Sequence, residues 1–314
     1  MKLSGDEQRI VFGQLCNVLE PGVAVALSSV SNELREPTQP LLLQLRTDHE
    51  AAAALCRKVG MRSCKELREA KMFDWRDKHL EEVDLMTLGT LGSVLPSLEK
   101  LWLFETSGVG MGVGDGVQLL AEGLGAGALP AVALPQFVGV QVYDTGALAL
   151  AAALGRGALP RLEFLNLSDA AIGDAGLVAL APALRRLPAL ETLSLAYNPF
   201  VDEGLTALVA PPVRPPSLYG VRAALPPPNG VLSKLNLLDL SHTQVSDAGC
   251  AALASAFDTG ALLAPEFLCL DGIPASAAAQ AVVQEALSDR MDFVKWIGGE
   301  SADFRARMSA WFAN

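Results

Sequence analysis

The sequence predicts an α/β solenoid, in which short parallel strands, each followed by a helix, stack through one shared core. Three observations lead there. The pattern LxxLxL recurs at Leu98/Leu101/Leu103, Leu162/Leu165/Leu167, Leu190/Leu193/Leu195 and Leu235/Leu238/Leu240. An Asp-x-Gly follows at a fixed distance, at Asp144/Gly146, Asp174/Gly176, Asp202/Gly204 and Asp247/Gly249, each opening a Leu/Ala-rich run. The segment VYDTGALALAAAL (142–154) matches IGDAGLVALAPAL (172–184) thirty positions on. Self-similarity at such a period is the mark of stacked units, none of which can bury its apolar face alone.

Within one unit, LxxLxL is a strand whose leucines enter the core while the residues between them face the other way. Weaker copies stand at Leu80/Val83/Leu85 and Pro265/Leu268/Leu270, and a degenerate one at Val132/Pro135/Phe137. Residues 132–137 are therefore expected to form a strand despite Pro135, with one ladder hydrogen bond missing because proline has no N–H. The aspartates are expected to be N-caps of the helices they open, since their oxygens can accept from free backbone N–H groups. From Leu98 onward the units are spaced by 34, 30, 28, 45 and 30 residues. The 45 contains residues 211–230, which hold seven of the 19 prolines and are expected to loop out.

These units resemble leucine-rich repeats of the ribonuclease-inhibitor-like class, over roughly residues 80–272. The resemblance implies a horseshoe with parallel strands on its concave face and helices on its convex face. That family usually places Asn three residues after the last Leu. Here Asn198 fits, while Val140, Ala170 and Thr243 stand at the other copies.

Residues 1–79 do not repeat. Helices are expected over residues 6–19, over 23–36 (ended by Pro37), from about Pro40 to Val59, and over residues 63–70. Leu15, Leu19, Pro21, Val25, Leu27, Val30, Ser31 and Leu34 resemble an F-box, which implies a Skp-family adaptor as partner through residues 6–36. The alternative is a helical cap over the first repeat. Residues 273–314 are expected to close the other end. There Phe304, Met308, Trp311 and Phe312 form one apolar stripe of a helix at 301–313, read as a cap or as a helix that docks into a partner.

Composition narrows function. The net charge is −11, distributed as 12 Lys/Arg against 11 Asp/Glu in residues 1–79 and 12 against 24 in residues 80–314. An acidic solenoid disfavours nucleic acid, whose phosphates call for clustered cations, and suits a basic or neutral protein. Residues 123–143 carry no charge but contain Pro130 and Pro135 and keep the repeat phase, so no membrane span is expected. The opening MKLSGDEQRI lacks the apolar stretch of a secretory signal. Five cysteines without a CxxC pair suggest free thiols in the cytoplasm or nucleus.

No catalytic or metal-binding constellation stands out. His49, His79 and His242 are scattered, and GVGMGVGDG (108–116) fits no phosphate-loop pattern. No enzyme activity, cofactor or small-molecule substrate is expected. The candidate site is a surface on the strands. Counted from each first Leu, the third, fifth, seventh and eighth positions give Lys100, Trp102, Phe104, Glu105, Phe164, Tyr197, Leu237, His242 and Phe267 as partner-binding candidates. Aromatic rings beside acids are what interface hot spots look like. In the alternative, flanking loops or the terminal helix cover these rings.

Overall fold

The computed structural model describes residues 17–29, 32–75, 78, 80–104, 116–210, 232–259, 262 and 265–288. Among the described residues, seven strands form one parallel sheet in sequence order: β1 Met72–Asp74, β2 Lys100–Phe104, β3 Leu134–Val138, β4 Phe164–Asn166, β5 Thr192–Ser194, β6 Leu237–Asp239 and β7 Phe267–Cys269. The N-terminal helices are α1 Gly22–Ser29, α2 Asn32–Val59 and α3 Cys64–Glu69. The repeat helices are α4 Glu82–Leu91, α5 Gly116–Gly123, α6 Tyr143–Gly155, α7 Asp174–Leu184, α8 Asp202–Val209, α9 Asp247–Thr259 and α10 Ala277–Ser288. Strand order without crossovers and one helix per strand is the expected solenoid.

The register carries the repeat. Leu101, Pro135, Leu165, Leu193, Leu238 and Leu268 lie on one row across the sheet, all buried against the helix layer. The strand expected at Pro135 is present. Its pairing with β2 spans five residues, whereas its pairing with β4 shrinks to Gln136 opposite Asn166. A missing N–H at Pro135 weakens the ladder on that side.

Two expectations are corrected. Leu80, Val83 and Leu85 do not form a strand: Glu82–Leu91 is helix α4, and the first strand lies upstream at Met72–Asp74. Leu85, Leu88 and Leu91 recur at helical spacing and are buried, while Val83 is exposed. Nor does Pro37 end a helix, since α2 runs through Pro37 and Pro40. Each proline costs the helix a donor, and packing of Leu45 against Ala24 of α1, with Leu41 and Leu42 beside them, supports that stretch.

The far end of α2 belongs to the solenoid. Leu55, Cys56 and Val59, with Leu67 of α3, share one core with Phe73, Leu85 and Leu88. Lys58 closes this junction on Asp84 at 2.6 Å and Glu81 at 3.4 Å. Burial pulls the Lys58 pKa down, but the two carboxylates outweigh it and leave it raised. The expected helix at 6–19 before residue 17, the proline-rich segment 211–230, the Gly-rich stretch 108–115, Asp115, His79 and the terminal helix at 301–313 lie outside the described residues.

The aspartates do not cap their own helices. Helix α7 begins with Asp174 itself, behind Gly173, which makes no side-chain cap. Instead each carboxylate reaches forward by one repeat. Asp144 accepts from the backbone N–H of Gly173 (2.8 Å) and Gly176 (3.0 Å), and Asp174 from Val201 (3.1 Å) and Gly204 (2.6 Å). Asp202 accepts from the N–H (2.8 Å) and hydroxyl (2.6 Å) of Ser246, and Asp247 from those of Ser276 (2.5 and 3.0 Å). A helix start leaves about four N–H groups without partners, and here the preceding repeat supplies the acceptor.

The glycine of the motif follows from the same geometry. A β-carbon at Gly176 would stand 2.5 Å from the Asp144 carboxylate, and one at Gly204 2.9 Å from that of Asp174. The Asp reaches forward, and the Gly makes room for the Asp behind it.

Asn198 joins repeats in the same way between the strands and helices. Buried beneath the turn after β5, its side-chain oxygen accepts from Ala170 (3.3 Å) and Ile172 (2.9 Å) N–H, and its amide donates to the Leu167 (2.8 Å), Leu195 (2.9 Å) and Ala196 (3.2 Å) carbonyls. Thr243, at the equivalent place, donates only to Leu240, at 2.7 Å.

Two predictions follow from these bonds. Asp174→Ala should cost roughly 1–2 kcal/mol, and hydrogen exchange should quicken at the start of α8, in the following repeat, more than at the start of α7. Equal quickening at both helix starts would place the carboxylate's role in its own helix. Asn198→Ala, which strands several buried backbone groups, should cost on the order of 3 kcal/mol in denaturant unfolding.

Candidate interaction surface on the strands and strand ends

Opposite the helix layer, the sheet presents rows of side chains fixed by the strand register. Lys100 pairs with Leu134, Phe164 with Thr192, and Leu237 with both Thr192 and Phe267. A second row runs Trp102, Gln136, Asn166, Ser194, Asp239, Cys269.

The aromatic part of this face is closed. Trp102 is 9% exposed, Phe164 1% and Phe267 7%, so these three candidates are not the open patch the sequence suggested. Lys100 and Leu237 are half-buried. The physical reason is area: a ring on a sheet face carries apolar surface whose removal from water is worth roughly 25 cal/mol per Å². Phe104 lies at the end of β2 opposite Val138, while its side chain and Glu105 lie outside the described residues.

Gln136, Asn166 and Ser194 of the second row are buried with the rings, and Asp239 is half-buried. Asn166 accepts from the Ser168 N–H at 2.9 Å, and Asp239 from the Ser241 N–H at 3.0 Å. The Ser194 hydroxyl donates to Asp239 at 3.3 Å and lies 2.8 Å from that of Ser168, so Ser168 donates to Ser194. A short hydroxyl relay thus ends on a carboxylate. The side-chain oxygen of Gln136 is buried and makes no hydrogen bond among the described residues. These bonds fix the turns after the strands, and the described residues hold no cluster of His, Cys, Asp or Glu able to bind a metal ion.

The strand ends are different. Just past each of the strands β3 to β7 one residue takes a left-handed backbone: Gly139 (φ +69°), Asp169 (+53°), Tyr197 (+57°), His242 (+56°) and Gly272 (+66°). Each of the first four donates its N–H into the next repeat, at 3.1, 2.9, 2.9 and 2.7 Å, so the five form one row. Glycine accepts such a backbone without strain, whereas a residue with a side chain costs about 1 kcal/mol more.

In this row Tyr197 and His242 stack, with ring centroids 4.4 Å apart and planes 17° from parallel. Tyr197 remains 57% exposed, and His242 and Asp169 are exposed. The imidazole lies over Gly272, where a β-carbon would collide with the ring. The sequence named Tyr197 and His242 but not their pairing. Their equal place in consecutive repeats carried that information, because equal places lie one strand apart, about 4.8 Å.

Among the described residues Cys56, Cys64, Cys250 and Cys269 are free. Burial pushes the Cys250 thiol up to about 11 and the Cys269 thiol up to about 12, which keeps both protonated and poorly nucleophilic at neutral pH. His49 Nδ1 lies 2.7 Å from the Val18 carbonyl, within the N-terminal helices. No helix among the described residues is long and apolar enough to cross a membrane.

Comparison with known proteins finds the repeats. Residues 159–181, 187–209 and 231–254 match a leucine-rich repeat family model. Among solved structures, an internalin from Listeria monocytogenes is similar at 12% identity and a TM-score of 0.24, covering 74% of this chain and 92% of that one. No curated protein matches the sequence. The chain carries leucine-rich repeats and folds as an α/β solenoid.

Because Trp102 is covered, Trp102→Ala should act on stability, at about 3–5 kcal/mol as for other large-to-small changes in cores. A thermal melt unchanged by this substitution would show the ring to be dispensable to the fold.

Proposed function

We propose that the protein is a non-catalytic protein-interaction module of the cytoplasm or nucleus, acting as the substrate receptor of a cullin-type ubiquitin ligase. In this reading the N-terminal helices bind a Skp-family adaptor and the solenoid holds the substrate. The observation that carries it is the division of labour inside the N-terminal helices. Ala24 and Leu45 form a small cluster separate from the main core, while Val23 (61% exposed), Val25 and Leu43 point outward. Apolar side chains exposed on two packed helices, and not spent on the core, suit a protein partner.

A second reading has its own support. The end of α2 and Leu67 of α3 seal the first repeat, with Lys58 pinned to Asp84 and Glu81. A scaffold or accessory subunit, whose N-terminal helices only close the core, would need no more than this.

Co-expression of the full chain with a Skp-family adaptor, followed by size exclusion, separates the two. The receptor reading expects a stable complex that is lost in the Val25→Asp/Leu43→Asp variant without a drop in melting temperature. A folded chain that elutes apart from the adaptor leaves the accessory-subunit reading.

A further inference from the structure

Two rings in the strand-end row are needed neither by the backbone nor by the core. At the same place, neighbouring repeats carry Gly139 and Gly272, which adopt the left-handed turn without strain. Tyr197 and His242 adopt it with large side chains and leave them exposed. They are also held in one orientation: His242 is seated over Gly272 and covers one face of Tyr197.

The other face of Tyr197 looks toward the preceding repeat, where Asp169 occupies the equivalent place and Gly139 stands beyond it. The Asp169 carboxylate makes no hydrogen bond or ion pair among the described residues. Tyr197 thus carries an exposed ring with one face stacked, beside an exposed carboxylate in the preceding repeat and, beyond it at Gly139, no side chain.

The surroundings are of one sign. The five turns that join strand to helix in this stack, residues 137–143, 167–173, 195–201, 240–246 and 270–276, contain Asp169 and Asp271 and no Lys or Arg. Asp271 lies in the repeat beyond His242, which leaves Asp169 as the carboxylate beside the ring.

We infer that the free face of Tyr197, with Asp169 beside it, receives an arginine side chain from a protein partner. A guanidinium is planar, stacks on a tyrosine face and pairs with a carboxylate through paired N–H groups. An ammonium offers a point charge without the flat face, so lysine fits less well. An apolar side chain would satisfy the ring but leave the carboxylate unmatched. The inference rests on the reading of the chain as an interaction module and is independent of the adaptor at its other end.

The test uses the full chain and the peptide Ac-(Gly-Ser-Arg)₄-NH₂, followed by fluorescence anisotropy at physiological ionic strength, with lysine, citrulline and phenylalanine versions as comparators. The arginine peptide should bind tightest, and the citrulline and phenylalanine versions at least about fivefold more weakly. Tyr197→Ala and Asp169→Asn should each weaken arginine-peptide binding roughly threefold to fivefold, while Tyr197→Phe, which keeps the ring, should bind as the parent does. All three are surface changes, and unchanged melting temperatures would show the fold intact.

Equal affinity of Tyr197→Ala and the parent chain overturns the site. Equal affinity for the citrulline or phenylalanine peptide overturns the choice of arginine. Either result leaves the adaptor experiment untouched, and failure of the adaptor complex leaves this one untouched.

Discussion

Everything in this solenoid depends on one repeat satisfying the backbone of the next. A helix of eight to thirteen residues, such as those from α5 to α10, is marginal in water by itself. Its free N–H groups must find acceptors, and Asp144, Asp174, Asp202 and Asp247 supply them from the repeat before. Because the acceptor comes from the preceding unit, no repeat is complete alone, and the order of stacking is built into the bonding. The Asp-x-Gly motif is this dependence written twice. Its first residue serves the following repeat, and its last yields space to the preceding one. Asn198 does the same for the turns, holding backbone groups on both sides of the boundary between β4 and β5.

A stack that passes its unsatisfied groups forward must be closed where it starts. The N-terminal helices do this with apolar residues continuous with the repeat core and with Lys58 set between Asp84 and Glu81. Capping and partner binding need not compete. One end of α2 is buried against the solenoid, while its other end packs with α1 and leaves Leu43 exposed. At the far end the dependence runs down through Ser276, whose hydroxyl accepts from the Ala279 N–H at 3.2 Å while donating to Asp247.

The repeats were legible in the sequence because the core repeats: leucines at fixed spacing located β2 to β7 within a residue or two, even where Pro135 interrupts the pattern. The first strand was not legible, since Met72–Asp74 is too short to show an alternation, while the nearby Leu80, Val83 and Leu85 imitate the spacing by chance. The aspartates were placed correctly and assigned to the wrong helix. At the first position of a helix an Asp reads as that helix's cap, and its true donors lie about thirty residues away, where only lateral neighbourhood between repeats reveals them. Burial of Trp102, Phe164 and Phe267 was out of reach for a related reason. Whether a ring on a sheet face is covered depends on what packs across it, and that has no period in the sequence.

Because the rings on the sheet are spent on stability, the proposed recognition falls to the strand ends, and their geometry limits what can be read there. Residues in that row are set by the strand spacing, about 4.8 Å, whereas alternate side chains of an extended peptide recur at about 6.8 Å. An extended partner laid along the row therefore falls out of register after one contact. The row suits isolated anchors better than a strand-like match, and an anchor needs a place that is both exposed and rigid. Tyr197 meets both demands: its backbone is held by the Ser241 carbonyl at 2.9 Å, its ring is braced by His242, and His242 is braced in turn by the absence of a side chain at Gly272. Such bracing lowers the conformational entropy a partner must remove on binding, so an exposed stacked ring on the solenoid costs less to engage than a free one.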